Sequence, residues 1–394
     1  MKIFDIEKRA VVLLIAISII VMGGIFYFYF SGINIVRLFY VPQLTNIQST
    51  PRPPAVKKEI ISNSSGENVK VIAENLTIPW EIVFLPSLDG EIDMLVTERP
   101  GRLIHIDKER KIIEVSGVYH AGEGGLMGLA INPDFKNNRQ IYLYMTARTG
   151  EGTKNRVERF RFENDQLSER KIIIENIPGS SFHDGGRIAF GPDGYLYIAT
   201  GDAGASSLSQ NINSLAGKIL RLKNDGGIPP DNPFGNAVYS YGHRNPQGIT
   251  WDNQGRLWST EHGRSGVLSG LDELNLIEKG KNYGWPVIQG DEEKAKMEKP
   301  VFHSGSDYTW APTDAVYWNN SIFFGGLKGE SLYEAKISDG GRINIYFFQE
   351  FGRIRVVNIG PDGNFYIATS NTDGRGDPRV GDDKIIRVNP SVFR

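Results

Sequence analysis

The chain has 394 residues, with 44 Lys or Arg and 46 Asp or Glu, so its formal net charge is −2 at pH 7. That balance argues against a nucleic-acid-binding surface, which normally carries a basic excess. The absence of cysteine excludes disulfides, thiolate catalysis and cysteine-ligated metal centres. The 45 glycines and 11% aromatic residues indicate short strands joined by many turns, in an all-β chain long enough for a large core.

The N-terminal residues 1–31 predict a membrane anchor. The run Val11–Phe30 carries no charge, and a helix of that length spans about 30 Å, the thickness of bilayer hydrocarbon. Lys2, Lys8 and Arg9 precede it, so the N-terminus is expected in the cytoplasm and the rest of the chain outside. A cleaved signal peptide is the alternative, but its apolar run is shorter and ends in a small-residue cleavage site that is missing here.

Residues 32–66 predict a linker, because they are rich in Pro, Ser and Asn and show no apolar periodicity. The remaining residues, 67–394, are expected to form the main folded domain of a single-pass protein of the cell membrane. No convincing helical period occurs in this part of the sequence.

One hairpin pattern recurs six times between residues 67 and 394. Each copy has a turn rich in Pro, Asp, Asn or Gly and then an alternating apolar and aromatic strand, as in FGPDGYLYIATGD (190–202) and IGPDGNFYIATS (359–370). Equivalent positions are spaced by about 54 residues on average, at Met94, Tyr142, Tyr197, Trp258, Phe323 and Tyr366. This spacing fits a four-stranded blade and predicts a six-bladed β-propeller. A pair of β-sandwiches is the alternative, but it does not predict even spacing.

The repeat also predicts which residues share one end of the propeller. Stepping back nine residues from the hairpin turns reaches, directly or within three residues, His183, Arg244, Glu123, Arg353 and Arg355. Equivalent positions in a closed propeller converge on one mouth of the central channel. These side chains are therefore expected to lie together.

His183 and Asp202 are expected to be neighbours at that mouth. His183 lies ten residues before the turn centre at Asp193 and Asp202 lies nine after it, so antiparallel pairing places them side by side. A carboxylate fixes the tautomer of a histidine and raises its basicity, which suits a general base. A purely structural pair at a strand end is the other interpretation.

Four cations are predicted at the same mouth: Arg244, Arg353, Arg355 and Lys328. Positive charges in a low-dielectric mouth repel one another unless an anion lies among them, and arginine suits planar carboxylates. The group therefore predicts a small polyanionic ligand. The alternative is four separate, solvated surface charges.

Seven motifs between residues 70 and 390 occur in a specific order: GEGGLMGLAINPDF (122–135), HDGGRIAFGPDGYLYIATGDAG (183–204), YGHRNPQGITW (241–251), DELNLIEKGKNYGWP (272–286), GGLKGESL (325–332), GRIRVVNIGPDG (352–363) and DGRGDP (373–378). With them the sequence resembles the soluble quinoprotein glucose dehydrogenases, the glucose/sorbosone or aldose sugar dehydrogenase family. The resemblance implies a six-bladed propeller that binds pyrroloquinoline quinone (PQQ).

The resemblance also implies catalytic roles. His183 would take the anomeric hydroxyl proton of an aldose while hydride passes to the quinone, Asp202 would orient His183, and Arg244 would stabilise the developing oxyanion. The implied cofactor contacts are Glu123, His183, Arg244, Asn245, Lys328, Arg353 and Arg355, of which the last three would pair with the PQQ carboxylates.

Two Ca²⁺ ions are implied by the same resemblance. The carbonyls of Gly263 and Arg264 would hold one of them against PQQ, and Glu273 with the Tyr283 carbonyl would hold the other. All-oxygen ligation is what Ca²⁺ prefers. Without the resemblance, the acidic residues of this segment read only as an acidic turn.

Four features depart from the family pattern. Glu123 stands where glutamine is usual, Arg264 replaces a proline of the calcium loop, Asp314 occupies a position that is usually small and uncharged, and the loop 290–301 is highly charged. These changes leave the preferred sugar open.

The sequence thus predicts an outward-facing aldose dehydrogenase that forms lactones and passes electrons to an external acceptor. A non-catalytic extracellular binding propeller is the alternative, since fold alone does not fix function. A lactone hydrolase is a third interpretation, but it needs carboxylates around a metal at the mouth, where this chain has cations. The enzyme is favoured because its six key residues occur together: His183, Asp202, Arg244, Lys328, Arg353 and Arg355.

Overall fold

The computed structural model of the protein describes residues 58–61, 68–87, 91–266, 269–338 and 341–393. These residues form six β-sheets, which confirms the predicted six-bladed β-propeller. The predicted membrane span, Val11–Phe30, lies outside the described residues. Within those ranges no helix is long and apolar enough to cross a membrane.

Two short strands, β1 (Lys58–Ile61) and β2 (Val69–Ala73), precede the first blade. Blade 1 comprises β3 (Pro79–Phe84), β4 (Met94–Glu98), β5 (Arg102–Ile106) and β6 (Arg110–Glu114). Blade 2 comprises β7 (Leu126–Ile131), β8 (Gln140–Thr149), β9 (Gly152–Glu163) and β10 (Gln166–Pro178). Blade 3 comprises β11 (Ile188–Phe190), β12 (Leu196–Thr200), β13 (Lys218–Leu222) and β14 (Val238–Tyr241).

Blade 4 comprises β15 (Pro246–Trp251), β16 (Leu257–Glu261), β17 (Glu273–Ile277) and β18 (Phe302–His303). Blade 5 comprises β19 (Pro312–Trp318), β20 (Ser321–Gly326), β21 (Ser331–Lys336) and β22 (Arg342–Tyr346). Blade 6 comprises β23 (Ile354–Ile359), β24 (Phe365–Thr369) and β25 (Ile385–Val388). The described helices are α1 (Phe135–Asn138) and the 3₁₀ segments Ser206–Gln210 and Pro390–Phe393.

The recurring hairpin turn has the same contacts in different blades. Asp193 accepts hydrogen bonds from the Tyr197 hydroxyl at 2.9 Å and from Arg221 at 2.8 Å. Asp362 repeats both contacts, with the equivalent tyrosine and arginine, at 3.1 and 2.7 Å. Gly194 adopts a φ of +77° at the turn, a conformation that favours glycine. Turn and strand chemistry therefore repeat together.

The first strand of each blade lies nearest the propeller centre. Each one contacts the first strand of the next blade, and β23 contacts β3, so the ring is closed. β2 pairs antiparallel with β25 as the outer strand of blade 6. The ring thus closes by joining the beginning of the domain to its end.

One strand departs from the predicted domain boundaries. β1 pairs in parallel with β22 and makes blade 5 five-stranded. It lies within the segment 32–66 that the sequence predicts as a linker. A segment of four residues is too short to show the alternation typical of a strand. Its pairing partner is the edge strand β22, almost 300 residues later in the chain, so the local sequence does not predict the pairing.

A buried carboxylate reinforces the ring closure. Backbone hydrogen bonds connect Asp383 and Leu76 in both directions at 3.0 and 3.1 Å. The Asp383 side chain accepts from the N–H of Ile78 at 3.2 Å, the Thr369 hydroxyl at 3.2 Å and the N–H of Asn371 at 2.5 Å. Burial raises the pKa of this carboxyl, although donors from Thr372, Asn371 and Thr369 oppose the shift. Asp383 therefore ties the segment before blade 1 to blade 6.

Asp383→Asn is expected to destabilise the propeller by about 2 kcal/mol, because an amide NH₂ would face donors that now bind a carboxylate oxygen. Urea unfolding followed by circular dichroism measures the loss. Asp107→Asn is the matched control, since Asp107 accepts one backbone N–H in an exposed turn. Equal stability of the two variants would contradict the role of Asp383.

Candidate active site

The structure brings His183 and Asp202 together at one mouth of the propeller. His183 precedes β11 and Asp202 follows β12, and these strands are antiparallel neighbours. The distance from His183 Nδ1 to Asp202 Oδ1 is 2.8 Å, with side chains that are 13% and 2% exposed. A carboxylate on Nδ1 selects the tautomer whose Nε2 is free to accept a proton.

Both members of this pair are held by further contacts. Burial disfavours the charged form of Asp202, but donors from His183, the Gly204 N–H and the Trp285 indole outweigh it and lower the pKa of the carboxyl. The His183 N–H donates to Glu123 Oε2 at 2.9 Å. His183 has a φ of +60°, which is unusual outside glycine and places it in a tightly determined turn.

Arg244 and Asn245 lie beside the pair in the connection between β14 and β15. The Arg244 guanidinium donates to the Ser265 hydroxyl at 2.7 Å, and burial lowers its pKa. Asn245 is fully buried and accepts the Gly185 N–H at 3.0 Å. Arg244 Nε and Asn245 Nδ2 have no partner among the described residues. A bound anionic ligand at the mouth would satisfy both donors.

The other predicted cations differ in their surroundings. Arg355 is buried, donates to Gln247 Oε1, and burial lowers its pKa to about 9. Arg353 already pairs with Asp373 at 2.7 Å. Lys328 is exposed and lines a neighbouring pocket with Gly263 and Arg264. The structure thus places the cations around one mouth, although Arg353 already has a carboxylate partner.

Glu123 forms an ion pair that the sequence did not predict. Its Oε1 lies 2.6 Å from Arg375 Nη1, a residue 252 positions later in the chain. Burial alone would raise the pKa of Glu123, but Arg375 and the His183 N–H lower it to about 2. The negative charge that Glu123 adds, at a position where glutamine is usual, is therefore balanced by Arg375.

The pocket at the mouth includes further residues that sequence reasoning missed. Glu123 and Arg355 are the predicted residues that line it, and its lining also includes Trp80, Arg99, Gln247, His262, Asp373 and Arg375. His262 also lines the pocket that contains Lys328, so the two pockets adjoin. Arg375 and Asp373 belong to the DGRGDP motif, whereas no repeat position identified Arg99.

Asp314 has a counter-ion inside the central channel. Arg187 Nε lies 3.3 Å from Asp314 Oδ1, and Arg187 also pairs with Glu81. The Arg187 guanidinium lies 4.3 Å from the centre of the Trp80 ring. Three blades contribute these charges. Asp314 therefore belongs to a buried network of ion pairs in the channel, in which it helps to neutralise Arg187.

The predicted calcium residues form two neighbouring regions. The Gly263 N–H donates to Asp272 Oδ1 at 2.8 Å, which fixes the start of the loop that carries the Gly263 and Arg264 carbonyls. Glu273 on β17 lies directly opposite Glu261 on the neighbouring antiparallel strand β16. Burial and the Glu261 charge raise the pKa of Glu273 to about 8. Tyr283 stacks on His243, which contacts Glu261 at 2.9 Å.

Within the described ranges, no three His, Asp or Glu side chains form a ready metal cluster. The predicted sites do not require such a cluster, because they rely largely on backbone carbonyls. Glu273 is half-buried and lies next to a second carboxylate, so it has the donor chemistry that fits a hard cation.

Comparison with known proteins decides the family. Residues 76–386 match the family model described as glucose/sorbosone dehydrogenase. This chain belongs to the glucose/sorbosone dehydrogenase family. Its relatives and solved neighbours include glucose and aldose sugar dehydrogenases, which are oxidoreductases, and the resemblance found in the sequence is confirmed.

Three relatives show how far the likeness extends. Aldose sugar dehydrogenase YliI of Escherichia coli is 33% identical, over 78% of this chain and 91% of that protein. Quinoprotein glucose dehydrogenase B of Acinetobacter calcoaceticus is 32% identical, over 66% of this chain and 59% of that protein. The PQQ-bound aldose sugar dehydrogenase of Streptomyces coelicolor is 38% identical, with a TM-score of 0.74 over 82% of this chain and 97% of that one.

Proposed function

We propose that this member of the glucose/sorbosone dehydrogenase family is a PQQ-dependent aldose sugar dehydrogenase that oxidises the anomeric carbon to a lactone. One observation carries the proposal: His183 is bonded to buried Asp202 at a mouth that also holds buried, partly unpaired guanidinium groups. The PQQ-bound relative from Streptomyces coelicolor supports the choice of cofactor.

His183 acts as the general base in this proposal. Its Nε2 takes the proton of the anomeric hydroxyl while the C1 hydrogen leaves as hydride, and the C1–O bond becomes the lactone carbonyl. Asp202 holds the imidazole in position and stabilises the imidazolium that forms. PQQ, when bound, supplies the two-electron acceptor.

The mouth fits a cofactor with several anionic oxygens. Arg244 Nε, Arg355 Nε and Asn245 Nδ2 are buried donors without a partner among the described residues. We assign Arg244 and Asn245 to the quinone oxygens, and Arg355 and Lys328 to carboxylates. Arg353 contributes charge while it remains bonded to Asp373.

We extend the proposal to Ca²⁺. The Gly263 and Arg264 carbonyls would hold one ion in the pocket that Lys328 also lines, and Glu273 with the Tyr283 carbonyl would hold the other. A Ca²⁺ ion supplies Lewis-acid polarisation in the first position and structural support in the second. Glu273 fits this role, because burial and the Glu261 charge favour its protonated form and a bound cation would offset both effects.

We also propose that the anchor Val11–Phe30 stays uncleaved and holds the propeller on the outer side of the cell membrane. The charge-free run and the preceding lysines and arginine support this topology. Electrons would then pass from the mouth to an external acceptor.

Reconstitution of the full chain with PQQ and Ca²⁺ tests the function. We expect dye reduction that depends on an aldose, and a loss of about 10²–10⁴-fold in kcat for His183→Gln because the base is removed. His105→Gln is the matched control, since His105 also contacts aspartates but lies on β5, outside the mouth.

Two results would contradict the proposal. Tight PQQ binding without turnover of any aldose would point to another substrate. Absence of PQQ binding, measured by calorimetry, would favour the non-catalytic binding propeller.

Calcium binding is expected to raise the melting temperature of the protein, and more strongly at pH 8.5 than at pH 6. Protons compete for Glu273 below its pKa of about 8, so the ion binds better as the pH rises through that value. Glu273→Gln should lose most of the pH-dependent increase. Glu334→Gln should keep it, since Glu334 is buried in blade 5 with its own partners. An unchanged calcium response in Glu273→Gln would refute the site.

Membrane fractionation tests the anchor. The full chain should sediment with membranes and resist carbonate extraction, and protease added to intact cells should digest the propeller, because the span is apolar and the domain lies outside. N-terminal sequencing that begins beyond residue 30 would show cleavage and contradict the proposed topology.

A further inference from the structure

Trp285 contacts two of the residues to which the proposed function assigns chemistry. Its indole Nε1–H donates to Asp202 Oδ2 at 2.9 Å. The Arg244 guanidinium carbon lies 5.3 Å from the centre of its ring. One side chain therefore connects the carboxylate partner of the base with the cation beside it.

The backbone of Trp285 is held firmly from behind. Its N–H donates to the Gly242 carbonyl at 2.9 Å, and its carbonyl accepts from Gln210 Nε2 at 2.7 Å. Gln210 also exchanges hydrogen bonds with Asn282 at 2.8 and 3.0 Å. The indole is thus presented by a fixed segment and can impose a geometry on its neighbours.

We propose that Trp285 is a positioning residue of the dehydrogenase, which fixes the Asp202 carboxylate toward His183 and the plane of the Arg244 guanidinium at the mouth. This inference rests on the proposed function. Trp285 acts through Asp202 and Arg244, and it is not assigned a contact with the reacting atoms.

The two carboxylate oxygens of Asp202 accept hydrogen bonds from different donors. Oδ1 accepts from His183 Nδ1 and from the Gly204 N–H, while the indole donates to Oδ2. Because the side chain is 2% exposed, water cannot easily replace the indole donor. Loss of that donor concentrates negative charge toward His183 and stabilises the imidazolium.

The other charged groups around the pair stay in place when the indole is changed. Glu123 accepts the His183 N–H, Asp184 is the adjacent buried acid, and Arg244 lies close to Asp202. A change in pH dependence therefore reports the missing indole donor.

Trp285→Phe removes the N–H and keeps an aromatic face. With the PQQ-loaded full chain we expect kcat to fall about tenfold, KM to change less than about twofold, and the acid limb of the kcat profile to move to higher pH. Trp258→Phe is the matched control, because Trp258 Nε1 donates to Asp252 Oδ2 at the same 2.9 Å within blade 4. An unshifted profile with unchanged kcat in Trp285→Phe would overturn the inference.

A second readout needs no activity. In ¹⁵N-indole NMR spectra of the full chain, the Trp285 resonance is identified by its loss in Trp285→Phe. It should move with pH in the wild type and stay fixed in His183→Ala, whereas the Trp258 resonance should not follow His183. A Trp285 resonance that is indifferent to His183 would refute the coupling.

The two readouts separate the possible failures. If no aldose is oxidised but the indole resonance follows His183, the proposed function is wrong and the fixation of Asp202 by Trp285 stands as a structural contact. If the wild type oxidises aldoses and the indole does not respond, the proposed function holds and the positioning role is overturned.

Discussion

Closure of the ring is the constraint on which the site depends. β2 completes blade 6 beside β25, and Asp383 ties that junction to the segment before blade 1. Only a closed ring makes the starts of the first strands converge. His183, Arg244 and Arg355 come from three different blades, so their proximity is a consequence of closure and not of local sequence.

Because the first strands converge, charged side chains from several blades lie close together in the channel and at its mouth. The buried arginines at these two places have different partners. Deep in the channel, Arg187 is matched by Glu81 and Asp314 and lies against Trp80. At the mouth, Arg355 is also buried, but it donates to the neutral Gln247 and forms no ion pair among the described residues. A buried charge without a counter-ion is costly, so the two positions differ in whether a carboxylate of the chain neutralises the arginine.

The features that the sequence predicted correctly are those set by the spacing of its repeated hairpin. Six hairpins and the placement of His183 beside Asp202 follow from the repeat phase and antiparallel register. The Glu123–Arg375 pair, the counter-ion of Asp314 and the strand β1 do not, because each joins segments from distant parts of the chain and depends on side-chain reach.

The same distinction explains why Trp285 was not singled out in the sequence. It lies in a loop of blade 4, outside the repeated hairpin, and its indole crosses to Asp202 of blade 3. The sequences of the loops do not follow the hairpin repeat, and a loop can contact a neighbouring blade, whereas each strand pairs within its own sheet. In this propeller the strands bring the reactive groups to one place, and contacts between loops of different blades fix how those groups face one another.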